Sequence, residues 1–275
     1  MDLHPAAASF SIAWGAWGTT QVGYADFGGF PRASLWSGTA ASWVDLHPTG
    51  AAASIASGVW GANQVGEAIV GGAPHASLWS GSAASWVDLH PAGATASAAL
   101  GAWGPFQVGR AVVGGANHAS LWSGSAASWV DLHPAGFTAS TALGAWALYQ
   151  VGFVANGGLG RASLWSGSAA SWVDLHAFLP AHFSYSIATG MSDDGINYYI
   201  SGYGYNTSTA RQEALLWTAP VPEPGSLAVF AIGLGALALR RRKTAQSPTN
   251  IRGANGHAIG GSTAVSAAGR HWSLF

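Results

Sequence analysis

A 43-residue period governs this chain. Ser-Leu-Trp-Ser-Gly recurs with its tryptophan at Trp36, Trp79, Trp122 and Trp165, and Asp-Leu-His recurs from Asp2, Asp45, Asp88, Asp131 and Asp174. Trp17, Trp60, Trp103 and Trp146 keep the same step, as do the Gln-Val-Gly triplets at Gln21, Gln64, Gln107 and Gln150. A period of this length is compatible with helical pairs or with four-stranded blades, so the pattern inside one unit decides. Within residues 94–130 the apolar segments are five to ten residues long, β-branched or aromatic at alternate places, and closed by Gly or Pro. That is strand and turn grammar. Glycines at 104, 109, 114, 115 and 124 would each cost roughly 1 kcal/mol inside a helix, and Pro91 and Pro134 would break one.

Four short antiparallel strands per unit, repeated radially, predict an all-β fold: a β-propeller of about five blades over residues 1–218. A β-solenoid is the rival, although its coils are usually shorter than this period. The repeated indoles are large plates suited to filling the space between neighbouring blades. Alternatively some of them, with Trp60, Trp103 and Trp146 as the candidates, stand open on one rim as a stacking platform for sugars. The last unit ends at Leu216-Trp217 without an Asp-Leu strand of its own. Asp2 to His4 is therefore expected to supply that strand and close a five-bladed ring.

Charged residues make up only 8% of the chain, against roughly a quarter in ordinary soluble domains. Up to residue 219, Arg32, Arg110, Arg161 and Arg211 stand against ten acidic residues. Such a balance offers no basic patch for nucleic acid. With no cysteine, disulfides are excluded and stability must come from packing between units. At the other end, Val221-Pro-Glu-Pro is followed by an almost wholly apolar run from Leu227 to Leu239 and then by Arg240, Arg241, Arg242 and Lys243. With its flanks this run can just span a bilayer, which needs roughly 17 to 25 residues. The basic cluster would then stay cytoplasmic and place everything before Pro222 outside.

These residues resemble the PEP-CTERM sorting signal of Gram-negative bacteria: Pro222, Glu223 and Pro224, a hydrophobic helix, and an arginine cluster as membrane stop. The resemblance implies an exported protein that is transiently anchored in the inner membrane, cut near the motif by an exosortase, and delivered to the cell surface or exopolysaccharide. Residues 219–243 form this element. Signals of this kind end soon after the arginines, whereas here a polar, Gly/Ser/Ala-rich segment, 244–275, follows and is expected to be disordered. The repeats are similar to HAF-type extracellular units, most closely at Ser186–Gly195, Tyr199–Gly204 and Glu213–Trp217. Met1 aligns with Val44, Val87, Val130 and Val173, which suggests a start read too late and a signal peptide upstream.

Candidate chemistry is sparse. On a strand, Asp and His at i and i+2 share a face, so five Asp-Leu-His copies could line a metal ring or an acid/base site. Identical repetition instead favours a structural role, with Asp capping a turn. Asp193-Asp194-Gly195 lacks the spaced ligands of a calcium loop and reads as a hairpin turn. His75 and His118 stand where Arg32 and Arg161 stand in other units, which reads as a solvent-facing position. No metal or cofactor is expected. The function expected is non-catalytic binding or scaffolding of extracellular polysaccharide or matrix. The alternative is a propeller-based polysaccharide lyase or hydrolase, which would need a cluster that breaks the symmetry. The fifth unit offers one candidate cluster: Tyr198, Tyr199, Tyr203, Tyr205 and Arg211.

Overall fold

The computed structural model describes residues 1–221 and 273–274. They form five four-stranded antiparallel sheets, each built from consecutive strands. The first holds β1 (Phe10–Trp17), β2 (Thr20–Asp26), β3 (Pro31–Trp36) and β4 (Val44–Asp45). The second holds β5 (Ser54–Trp60), β6 (Asn63–Val70), β7 (Ala73–Trp79) and β8 (Val87–Asp88). The third holds β9 (Ala96–Trp103), β10 (Phe106–Val113), β11 (Ala116–Trp122) and β12 (Val130–Asp131). The fourth holds β13 (Ala139–Trp146), β14 (Tyr149–Asn156), β15 (Leu159–Trp165) and β16 (Val173–Asp174). The fifth holds β17 (Phe183–Asp193), β18 (Asn197–Asn206), β19 (Arg211–Pro220) and β20 (Ser273–Leu274). Four strands per unit were therefore legible from the repeat.

Each repeated motif has a mechanical task. In Gln-Val-Gly, the Gln107 side chain accepts the Gly124 N–H at 2.8 Å and donates to the Pro105 carbonyl at 2.8 Å, clamping the turn after the third strand. Val108 enters the core. Gly109 lies against the first strand, where a Cβ would fall 2.0 Å from the Ala98 carbonyl oxygen. In Ser-Leu-Trp-Ser-Gly, Ser120 accepts the Trp129 indole N–H at 2.9 Å, Trp122 is fully buried, and Gly124 turns at φ 81, a left-handed conformation that favours glycine.

The sheets stack in sequence, and the cores lie between them. Val22, Ala33 and Leu46 of the first unit meet Ala56 and Trp79 of the second. The same pattern recurs at the second and third sheets, the third and fourth, and the fourth and fifth. The tryptophans of the third strands, Trp36, Trp79, Trp122, Trp165 and Trp217, are all fully buried. They are packing plates, as expected for indoles that fill an inter-sheet space.

First strands lie side by side in order, β1 against β5, β5 against β9, β9 against β13 and β13 against β17. A glycine follows the bulge in each of them. A Cβ on Gly15 would meet Gly58 Cα at 3.3 Å, one on Gly58 would meet Gly101 Cα at 3.3 Å, one on Gly101 would meet Gly144 Cα at 3.5 Å, and one on Gly144 would meet Gly190 Cα at 3.4 Å. At Gly190 the row stops, because a Cβ there would meet only the Ser201 hydroxyl, at 3.3 Å.

The expected closure by Asp2 to His4 is not what the structure shows. Ser273 and Leu274 pair with Thr218 and Trp217, taking the outer edge of the fifth sheet. These two residues belong to the segment expected to be disordered, the rest of which lies outside the described residues. The Asp2 carbonyl accepts the Ala40 N–H at 3.2 Å on the first sheet instead. The N-terminal segment keeps the bonding of its repeat position, His4 N–H to Asp2 at 2.9 Å and His4 Nδ1 to Ser11 Oγ at 2.9 Å, and this local preference holds it on its own sheet. The anchor helix, the Pro222-Glu223-Pro224 motif and the basic stop at Arg240–Lys243 lie outside the described residues. Among the described residues no helix is long and apolar enough to cross a membrane.

Candidate functional site

The Asp-Leu-His copies form locks between sheets. In the second unit, Asp88 accepts the His90 backbone N–H at 2.8 Å. The His90 ring places Nε2 3.0 Å from the Ala94 carbonyl oxygen and Nδ1 2.8 Å from Ser97 Oγ. A carbonyl oxygen can only accept, so Nε2 carries the proton and Nδ1 accepts from the Ser97 hydroxyl. Ser97 Oγ in turn accepts the Ala76 N–H at 2.8 Å, across the junction of the second and third sheets. The same relay runs through His47 and Ser54 to Ala33, and through His133 and Ser140 to Ala119. His176 and Ser186 repeat its last part onto Ala162. Both ring nitrogens of His47, His90 and His133 are thereby spent, and Ser97 and Ser140 are buried. In these units the relay is a packing device between sheets.

Asp88 and Asp131 also pair with His75 and His118, at 2.8 and 2.7 Å. In the first and fourth units Arg32 and Arg161 make the corresponding pairs with Asp45 and Asp174. His75 stacks on His90 with ring centroids 4.0 Å apart, and His118 on His133 at 4.2 Å. The position expected to face solvent is therefore half-buried and bonded to the Asp of its own unit, through Arg in the first and fourth units and His in the second and third, with Glu213 in the corresponding place of the fifth. Burial pushes the His90 and His133 rings below the ordinary imidazole range, and the neighbouring His75 and His118 push the same way. His176 is lowered by burial and by Arg161.

The candidate stacking residues Trp60, Trp103 and Trp146 converge. Trp60 lies 5.6 Å from Trp103 and 6.0 Å from Trp146, and Trp103 lies 6.0 Å from Trp146. All three are half-buried. Trp146 donates to Asp193 at 2.5 Å. Exposure falls elsewhere, on the first sheet, where Trp14 is 52% exposed, Phe10 49% and Trp17 44%. Phe10, Tyr24 and Trp14 form a contiguous ladder, with Tyr24 5.9 Å from Phe10 and 5.4 Å from Trp14. Beside it, Phe27, Phe30, Arg32, His47 and Ala52 line a cleft of about 370 Å³.

At four of its five aromatic positions this surface belongs to the first unit alone. Reading down the 43-residue columns, Phe10 stands over Ala53, Ala96 and Ala139, and Trp14 over Ser57, Leu100 and Leu143. Phe27 stands over Val70, Val113 and Asn156, and Phe30 over Ala73, Ala116 and Leu159. Tyr24 shares its column with Glu67, Arg110 and Phe153. The departure from symmetry is visible in the sequence columns, although not in the invariant positions. The candidate tyrosines of the fifth unit divide between two places. Tyr199 bonds Asp194 at 2.9 Å, beside the hairpin turn that the Asp194 carboxylate caps by accepting the Ile196 and Asn197 N–H groups, and Tyr198 packs on Tyr149. Tyr203 and Tyr205 pack on Tyr185, and Arg211 pairs with Glu213. Glu67 and Arg110 line a separate cavity of about 160 Å³ at the second and third sheets, where burial raises the Glu67 carboxyl and Arg110 opposes that rise.

Residues 220–243 match the PEP-CTERM protein-sorting motif. That motif indicates an exported protein, transiently anchored in the membrane and sorted to the surface, with an exosortase as the processing partner. No curated protein matches the chain.

Proposed function

We propose that this protein is a non-catalytic surface component whose radial, propeller-type array of sheets presents the aromatic face of the first unit to neutral extracellular polysaccharide. The observation that carries the reading is the ladder of Phe10, Tyr24 and Trp14, which is open to solvent on a chain that carries its sorting signal. A sugar ring needs a flat apolar surface beside hydrogen-bonding groups. Trp14 supplies the surface, and Tyr24 supplies an amphipathic ring beside it. The scarcity of charge suits a hydroxyl-rich neutral partner, and the likeness of the repeats to HAF-type extracellular units supports the same placement. After cleavage near Pro222, Glu223 and Pro224, with Arg240–Lys243 holding the anchor until then, the array would remain in the matrix. The lyase or hydrolase reading is the second one, because the first unit's cluster is aromatic and the fifth unit's candidate residues divide between the Tyr185 group and the hairpin at Asp194.

The test compares retention on purified exopolysaccharide. Trp14→Ala should weaken retention roughly fivefold, from about 1 kcal/mol of lost stacking, with an unchanged circular dichroism spectrum because the side chain is more than half exposed. Trp103→Ala should loosen the fold, since its indole lies within the convergent cluster. Equal retention of wild type and Trp14→Ala would remove the basis for the platform.

A further inference from the structure

Gly190 is a glycine without a local reason. Its φ lies outside the left-handed region, so backbone conformation does not demand it. At Gly15, Gly58, Gly101 and Gly144 the reason is visible: the backbone of the next first strand passes so close that a Cβ would press on it at 2.8 to 3.2 Å from a carbonyl oxygen. Gly190 occupies the fifth place in this row, and among the described residues only the Ser201 hydroxyl of its own sheet, at 3.3 Å, comes within 4 Å of the corresponding point.

The surface around it repeats the anomaly. Ala33, Ala76, Ala119 and Ala162 are fully buried beneath the following sheet, whereas their counterpart Ala214 is exposed. Leu216 holds the place of Leu35, Leu78, Leu121 and Leu164 and is 37% exposed. The first sheet offers the other half of the same junction. Ala13 is exposed, although its counterparts Ala56, Ala99, Ala142 and Ala188 are fully buried against a preceding sheet. Ala16 is exposed as well, where Val59, Ala102, Ala145 and Met191 pack on the core of the preceding junction.

We infer that the outer face of the fifth sheet, at Gly190, Ala214 and Leu216, is a docking surface for the first sheet of a second copy of this chain. The argument is complementarity. The chain builds one kind of junction four times internally and leaves parts of its two halves exposed at opposite ends, the first strand at Ala13 and Ala16 on one side, where Trp36 stays buried, and Ala214 and Leu216 on the other, which is the geometry of a heterologous, head-to-tail contact. The first-strand backbone around Gly15 is the element that Gly190 leaves room for.

Sedimentation velocity of the full-length chain in mild detergent tests this across a range of concentrations. The wild type should show concentration-dependent species at multiples of the monomer mass. Gly190→Ala, which adds one methyl group 3.3 Å from the rotatable Ser201 hydroxyl, and Leu216→Asp, on an exposed side chain, should each abolish them while leaving the thermal melt of the monomer nearly unchanged. Gly101→Ala, by contrast, should lower the melting temperature, since its Cβ would lie 2.8 Å from the Leu143 carbonyl oxygen. Three results would overturn the inference. A wild type that stays monomeric would do so outright. A melting temperature lowered by both Gly190→Ala and Leu216→Asp would show that this face is already covered within the monomer. Association that survives both variants would place the contact elsewhere, the hydrophobic segment included.

Discussion

Replacing Ser97 by Ala isolates the relay that joins neighbouring sheets. The hydroxyl is buried, accepts the Ala76 N–H at 2.8 Å and donates to His90 Nδ1 at 2.8 Å. Alanine removes one oxygen without a large change of volume, so the cost is that of broken hydrogen bonding. The Ala76 amide, in a fully buried residue, loses its partner at about 1–3 kcal/mol. The bond to the imidazole adds about 0.5–1.5 kcal/mol. A loss of about 2–4 kcal/mol corresponds to a fall in melting temperature of roughly 4–16 °C for a domain of this size. Urea unfolding followed by tryptophan fluorescence reads it directly, because Trp122 is buried in the same junction. Ser80→Ala is the control, at an exposed residue whose hydroxyl makes only a 3.4 Å contact with Asn63, and it should stay within about 0.5 kcal/mol of wild type. A Ser97→Ala variant as stable as the Ser80 control would show that the relay does not hold the sheets together.

Other consequences follow from the same contacts. Gly109→Ala should prevent folding, because its Cβ would lie 2.0 Å from the Ala98 carbonyl oxygen; recovery of a soluble variant with a wild-type melt would contradict the register of β9 and β10. Stability should fall with acidification through and below the ordinary imidazole range near 6.5. His90, His133 and His176 are held below it by burial, so the unfolded chain binds protons before the folded one does. His75 and Asp88 face His90, His118 and Asp131 face His133, and Arg161 and Asp174 face His176; a pH-melt series that stays flat between pH 7 and 5 would refute the sign. Trp122→Ala should cost about 3–5 kcal/mol, because the indole is fully buried, and a cost near zero in calorimetry would contradict its placement between sheets.

What repetition made legible, and what it hid, have one physical cause. A residue that recurs in every unit serves a contact that recurs in every unit, so the strand count, the turns and the buried role of Trp36, Trp79, Trp122 and Trp165 could be read from periodicity alone. The meaning of Gln-Val-Gly could not, because a clamp, a core side chain and a backbone contact become distinguishable only when the neighbouring strand is in place. The joining of the ends was misjudged for a related reason. Asp2 to His4 carries the bonding pattern of its repeat position, and that pattern is local: Asp2 and Ser11 satisfy His4 without any neighbour from the fifth sheet. A sequence that looks able to complete another sheet can therefore settle on its own. Binding surfaces obey the opposite logic. A partner that touches one unit imposes its demands on that unit only, so its trace is a departure from the period. In this chain the aromatic residues at 10, 14, 27 and 30, which have no aromatic counterpart in the second to fourth units, mark where symmetry was given up, and the exposed ladder of Phe10, Tyr24 and Trp14 is what the first unit has in its place.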